Sequence, residues 1–298
     1  MKYLPSVKLL YYIPEAENIV ASSAKATLTP RDFNSIVGKM SRGDLDEWIL
    51  ELIVRGHGSP LEHSLYIYEV TCSRVCSHQL VRHRHASYTQ LSQRYSDKYL
   101  RGLVEYASRV LGRENPKTFN EVVSLLLEAV EKISDFSELL ELASEAYIIP
   151  PRVVENRDVE FLRELLRSTV IYYRALGNGA PYEDARYILP QAVKTRVIVS
   201  MNARELVEVF LPLRMCSRAQ WEIRAIAWQL WRQLVEVHPA IFKYTGPRCV
   251  LMENRTRRSP CTLREFLEDK CGFTIERCPE KTPRDKIREC LKSSLAII

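Results

Sequence analysis

A chain of 298 residues, 46% hydrophobic and 27% charged, is long enough to bury one large core or two smaller ones. Its net charge of +6 is modest, and from Pro247 onward twelve basic residues stand against eight acidic, so little basic excess is left elsewhere for a nucleic-acid footprint. No run of about 18 apolar residues is present to cross a membrane, and Met1 to Val20 is too broken by Pro5, Lys8, Pro14, Glu15 and Glu17 to be a secretory signal, so a cytoplasmic protein with a small anionic ligand is expected.

In chain order, the N-terminal part alternates strand and helix signals. Val7 to Ile13 is β-rich, Thr29-Pro30 reads as an N-cap with proline at the first helical position, and Asp44 to Val54 has helical apolar spacing and ends near Gly58. Ser64 to Thr71 alternates as a strand and feeds a helix from about Cys72 into the Arg82 region, after which the chain is expected to run out as a loop. Phe119 to Tyr147 and Val159 to Tyr173 carry long helical periodicity up to a Gly177-Asn178-Gly179 break. Thr195 to Ser200 reads as a buried strand, and Asn202, with Glu205 three residues on, as a helix N-cap resembling a capping box. Met215 to Val237 predicts one amphipathic helix, with Trp221, Trp228 and Trp231 as core. The fold class is therefore α+β: a single domain over residues 1–245, with a modest sheet flanked by helices and a long helical middle, and a basic, cysteine-containing extension over 246–298.

None of the eight cysteines forms a C-x-x-C pair, so zinc-ribbon and thioredoxin spacings are absent. Cys72 and Cys76, four apart on the expected helix, read as packing residues ahead of metal ligands, and Cys249, Cys261, Cys271, Cys278 and Cys290 as free thiols by default, with a small metal site or disulfides as the alternatives. His57 and His63 flank a Gly-Ser-Pro turn and do not read as metal ligands, so no metal is expected.

The chemistry concentrates in Arg82-His83-Arg84-His85-Ala86-Ser87-Tyr88-Thr89-Gln90-Leu91-Ser92-Gln93-Arg94-Tyr95. Guanidinium forks grip phosphate oxygens, while serine and glutamine complete a nucleotide's hydrogen bonding without adding charge. Between Arg82 and Arg101 there are five basic residues against Asp97 alone, which composition by itself explains equally well as a solvated basic face.

The order of residues is more specific. Arg-His-Arg, seven residues and then Ser92, continuing as Ser-x-Arg-Tyr, resembles the signature of the flavin-dependent thymidylate synthases, the ThyX family. The same resemblance returns in His57-Gly58-Ser59-Pro60-Leu61-Glu62-His63, Arg186-Tyr187-Ile188-Leu189-Pro190, Asn202-Ala203-Arg204, and Leu213-Arg214 followed by Arg218-Ala219-Gln220-Trp221-Glu222. It implies reductive methylation of dUMP to dTMP, with methylenetetrahydrofolate as one-carbon donor, FAD as hydride carrier and NADPH as reductant. It also implies a homotetramer whose active sites draw on more than one subunit.

Carried over residue by residue, the resemblance puts Ser59, Arg82, His83, Arg84, Gln90, Asn202, Ala203 and Arg204 on FAD. It puts Gln79, Leu80, Val81, Arg82, Gln90, Leu91, Ser92, Gln93, Arg94, Arg186 and Arg214 on dUMP. Arg214 is the expected catalytic residue, presenting its fork to a uracil carbonyl and favouring loss of the N3 proton; a structural salt bridge to Glu222 is the alternative. Three departures stand out: Gln90 where some members have glutamate, Arg218 in place of a histidine, and an Asn202–Arg214 interval one residue longer, which leaves a flavin contact at Glu208 or Val209 unassigned. A nucleic-acid-binding protein using residues 82–101, or a non-catalytic flavoprotein, are the competing readings; the latter has no need of Arg186 and Arg214.

Overall fold

The structure, a computed structural model, describes residues 2–37 and 40–295. Its strands are β1 (Ser6–Tyr12), β2 (Tyr66–Ser73), β3 (Ala86–Gln90) and β4 (Lys194–Met201), paired as an antiparallel sheet in the order β1-β2-β4-β3. In β2, Tyr66, Tyr68 and Val70 are fully buried and alternate with half-buried Ile67, Glu69 and Thr71, the period of two that marked the strand in the sequence. By internal contacts the chain forms two compact units, one of Met1–Pro5, Thr71–His78 and Thr89–Val197, the other of Ser6–Val70, Gln79–Tyr88 and Ile198–Ile298.

The first unit is the helical middle. Helices Lys98–Val110, Phe119–Lys132, Phe136–Ala146 and Val159–Gly177 bury Leu103, Leu126, Leu139, Leu142, Leu162 and Leu166 in one apolar core. Local capping explains their boundaries. Thr118 and Glu121 form a reciprocal capping box, and Asp135 accepts from the amides of Ser137 and Glu138. The run expected as one helix from Phe119 to Tyr147 is therefore two, because Asp135 starts a new helix after Ile133 takes extended geometry. Helix Lys98–Val110 went unread in the sequence. Buried Lys194 donates from Nζ to the carbonyls of Lys2 and Ser144, and desolvation lowers its pKa to about 8.

The second unit is built on β1 and helix Trp221–Val237. β1 is an edge strand, which would leave backbone groups unpaired. The helix supplies partners from its side chains: Gln229 Oε1 accepts from Val7 N (3.3 Å), Gln233 Oε1 accepts from Leu9 N (2.7 Å), and Gln233 Nε2 donates to the Val7 carbonyl (3.0 Å). The helix starts at Trp221, not at Met215, since the Gln220 side chain caps it by accepting from Glu222 N and Ile223 N. Trp228 and Trp231 are buried in edge-to-face contact, and their indole N–H groups donate to the Met215 and Phe242 carbonyls at 3.2 and 3.0 Å.

Three other expectations are corrected. Thr29-Pro30 starts no helix; Asp32 caps the short helix Phe33–Ile36 by accepting from Asn34 N. Helix Arg42–Arg55 stops at Gly56, whose φ of 72° suits glycine, so Gly58 lies beyond it, next to the 3-10 turn Ser59–Glu62. Cys72 lies in β2 and only Cys76 on helix Arg74–Leu80, although both are fully buried.

The segment after Arg84 is not a loop but enters β3. In the extension, helices Arg248–Asn254, Leu263–Leu267 and Ile287–Ser293 belong to the second unit, and Cys261 is bonded to Cys271, which corrects the expectation of free thiols there. Burial pushes the Cys216 thiol up and that of Cys249 to about 12, the opposite of what a nucleophile needs. Single replacement of any of the six free cysteines by Ala or Ser is expected to leave the activity that the resemblance implies, dTMP formation, measurable. Breaking the Cys261–Cys271 link, which closes a short loop, is expected to cost about 2–3 kcal/mol of stability without abolishing turnover. Thermal melting and single-turnover assays check both. Among the described residues no helix is long and apolar enough to cross a membrane.

Candidate active site

In the second unit, the carbonyl end of helix Arg74–Leu80 runs into the Arg82-His83-Arg84 turn, and Tyr88 pins that turn. Its hydroxyl, with one proton shared between them, lies 2.9 Å from the Leu80 carbonyl, which also accepts from His83 N, and 2.7 Å from the His83 carbonyl. Arg82 and Arg84 point out of this rigid turn. Both are exposed, and their guanidinium groups make no hydrogen bond or ion pair among the described residues. His83, between them, does the reverse and is 4% exposed.

His83 holds a buried chain of polar groups. Its Nδ1 lies 3.1 Å from Glu205 Oε1, Arg214 Nε donates to its Nε2 at 3.0 Å, and its ring meets Phe210 edge-on at 5.0 Å. A guanidinium can only donate, so Nε2 accepts, and the ring proton sits on Nδ1 directed at the carboxylate. Arg214 also donates from Nη2 to the Gln79 carbonyl (3.3 Å), so its plane is fixed from two sides. Glu205 is the residue that sequence reasoning misassigned. Asn202 does cap the helix by accepting from Glu205 N at 2.9 Å, but the Glu205 carboxylate turns inward to His83 instead of closing a capping box. The signal was the placement of an acid beside Leu206, Val207 and Phe210 on a face that must be buried, where a carboxylate requires a partner.

Of the Asn202-Ala203-Arg204 trio, only Arg204 faces outward. The Asn202 side chain is occupied as the cap, and Ala203 N donates to Ser64 Oγ at 2.8 Å. Arg204 pairs with Glu62 and Glu208, and Arg255 binds the other oxygen of Glu208. Gly58 lies against this cluster, since a Cβ there would stand 2.6 Å from Arg204 Nε and 2.9 Å from Glu208 Oε2. The interval from Ala203 to Arg214 is helical throughout, with a π turn at Leu206–Phe210. A π turn is how a helix absorbs an extra residue, so the longer interval coincides with a local bulge, leaving Glu208 half-buried in the ion-pair cluster and Val209 exposed.

Gln90 to Arg94 and Arg186 lie in the first unit. Gln90 donates from Nε2 to Thr195 Oγ1 (3.1 Å), which aims its amide, and Ser92 Oγ accepts from Arg94 N (3.2 Å), tightening the turn after β3. Arg94 pairs with Glu183 Oε2 at 3.0 Å while Arg186 Nε donates to the Glu183 carbonyl at 3.1 Å, so the two arginines meet at one residue. The Arg94–Glu183 pair is half-exposed and holds weakly, leaving Arg94 available to a stronger anion. Gln93 and Arg186 line a common open cavity of about 330 Å³. Leu80 is fully buried, so its side chain serves the core and cannot touch a nucleotide; Val81 beside it is exposed.

This arrangement offers two kinds of chemistry: exposed, unpaired guanidinium groups suited to phosphates, and one guanidinium locked in orientation by a buried histidine and carboxylate. Comparison with known proteins agrees. Residues 8–240 match the family model described as thymidylate synthase complementing protein. The flavin-dependent thymidylate synthase of Aeropyrum pernix is 45% identical, over 98% of this chain and 94% of that protein, and that of Sulfurisphaera tokodaii is 37% identical over 98% of each. Among solved structures, thymidylate synthase X from Helicobacter pylori with FAD and dUMP matches 80% of this chain and 98% of its own, with a TM-score of 0.58 and 25% identity. A match across most of the chain, with identity reaching 45% over nearly its full length, means that this chain belongs to the flavin-dependent thymidylate synthase family.

Proposed function

We propose that this chain methylates dUMP to dTMP reductively, taking the one-carbon unit from methylenetetrahydrofolate and its reducing equivalents from NADPH through FAD. The observation that carries the reading is the pairing of unpartnered Arg82 and Arg84 with a second-unit guanidinium, Arg214, that is locked by His83 and Glu205. When bound, FAD supplies the hydride chemistry.

The residues fit that cofactor. Arg82 and Arg84 meet its phosphates, Ser59 and Arg204 are exposed residues of the same unit, and Gly58 keeps the approach beside Arg204 clear of a side chain. His83, Asn202 and Ala203 act from beneath: His83 orients Arg214, and the other two hold Arg204 at the helix start. Gln90, whose amide nitrogen donates to Thr195 Oγ1, is assigned to both cofactor and substrate.

For dUMP, Gln79 to Arg82 and Gln90 to Arg94 provide backbone and side-chain donors, Arg94 and Arg186 meet the phosphate, and Arg214 faces a uracil carbonyl. As N3 loses its proton, negative charge spreads onto that carbonyl, and a preoriented planar fork stabilises it without reorganising. The catalytic domain is residues 1–245 with 246–298 as an extension. The enzyme works as a cytoplasmic homotetramer, without nucleic acid or metal.

Titrating the purified yellow protein with dUMP is expected to perturb the flavin absorbance saturably, with one binding event per active site. A chromophore-free protein, or a flavin spectrum indifferent to dUMP, overturns the reading.

A further inference from the structure

The open cavity beside Arg186 contains two residues that none of the roles above uses. Arg74, at the start of helix Arg74–Leu80, and His78, one turn on, line it together with Gln93, Arg186 and Tyr187. No acidic residue is among the lining groups. The Arg74 guanidinium forms no hydrogen bond or ion pair among the described residues, although it is half-buried. Burial and the like charge of Arg186 both work against its ionised form, and only the Cys72 thiol beside it acts in the opposite sense.

Two guanidinium groups held towards one cavity without a counter-ion are an unfavourable arrangement in the unliganded protein, and a bound dianion reverses it. A phosphate suits the geometry better than a carboxylate, because its three terminal oxygens can accept from two forks and an imidazole at once. Gln93 and Tyr187 add neutral donors at the rim.

We propose that Arg74 and His78 join Arg186 in gripping the 5′-phosphate of the nucleotide, an assignment that rests on the dUMP reading above and extends it to residues outside the resemblance. The test compares dUMP with deoxyuridine, which lacks the phosphate, by titration of the flavin spectrum in the FAD-loaded protein. In Arg74→Ala the dUMP affinity is expected to fall by about tenfold or more, the usual loss for a charge-assisted hydrogen bond, while deoxyuridine binding stays at the wild-type level. His78→Asn is expected to show a smaller loss of the same selectivity, and Arg74→Gln serves if the alanine variant does not fold. Inorganic phosphate should compete with dUMP in wild type and lose that ability in Arg74→Ala. An unchanged dUMP affinity in the Arg74 variants, or equal losses for dUMP and deoxyuridine, overturns the assignment while leaving the nucleotide reading in place. A wild-type spectrum that does not respond to dUMP removes both.

Discussion

Replacing Arg82 and Arg84 together by Ala is expected to give a colourless protein with the far-UV dichroism of wild type. The reason lies in where the two side chains point. The turn that carries them is fixed by the Tyr88 hydroxyl on the Leu80 and His83 carbonyls and by the buried His83 ring, none of which uses a guanidinium of Arg82 or Arg84. On the proposed reading, their removal deletes cofactor contacts and little else. Hydrogen bonds from a charged group are each worth about 1.5–3 kcal/mol, so losing two such contacts weakens FAD binding by about two to four powers of ten. Flavin content per protein chain and an FAD titration of the stripped protein measure this. Full retention of FAD by the double variant would falsify the cofactor role of the turn. The Tyr88→Phe variant makes a useful companion: it keeps both arginines but frees the turn, so a partial loss of FAD there separates preorganisation from direct contact.

Much of this was legible in the sequence, and the reasons are local. β2 carried its period of two in Tyr66, Tyr68 and Val70, and Asn202 was readable as a cap because a short polar side chain before a helix has few other uses. Where the reading failed, two local signals competed and the stronger one won. Ile133-Ser134-Asp135 was read as helix interior on apolar spacing, but an aspartate able to accept from two amides starts a helix more effectively than periodicity carries one through. Gln220 similarly moved the start of the last long helix six residues on, to Trp221.

In the candidate site, residue types were legible but their division of labour was not. Arg-His-Arg looks like three equivalent ligands, yet the turn throws the two arginines outward and the histidine inward. The inward position became meaningful only with Glu205 and Arg214, which lie more than a hundred residues away in sequence and carry no local signal of that pairing. The Cys261–Cys271 bond was hidden for the same reason, since cysteine spacing alone does not fix a pairing.

That buried chain leads to the largest expected effect on chemistry. Arg214→Ala is expected to lower single-turnover dTMP yield by about a hundredfold or more, the cost of losing a preorganised donor of about 3 kcal/mol at developing charge, and to weaken dUMP binding, while FAD and NADPH oxidation are retained. Arg214→Lys should recover little. An ammonium is a point charge, and it cannot hold both His83 Nε2 and the Gln79 carbonyl, as the planar guanidinium does, and still face a uracil carbonyl.

His83 acts through Arg214, so His83→Gln is expected to reduce kcat with a smaller change in dUMP affinity, because an amide can still accept from Arg214 but holds its plane less well. Glu205→Gln tests the same chain one step back. It exchanges an acceptor-only carboxylate for an amide that can accept from Nδ1 or donate to it, so the His83 proton is no longer held on Nδ1 and can move to Nε2, where Arg214 needs an acceptor. The graded series, with Arg214 variants worst, His83→Gln intermediate and Glu205→Gln mildest in kcat, is what a positioning chain produces. If Arg214→Ala turns over within a few-fold of wild type, Arg214 is a structural residue, and the chain of Glu205, His83 and Arg214 serves the fold alone.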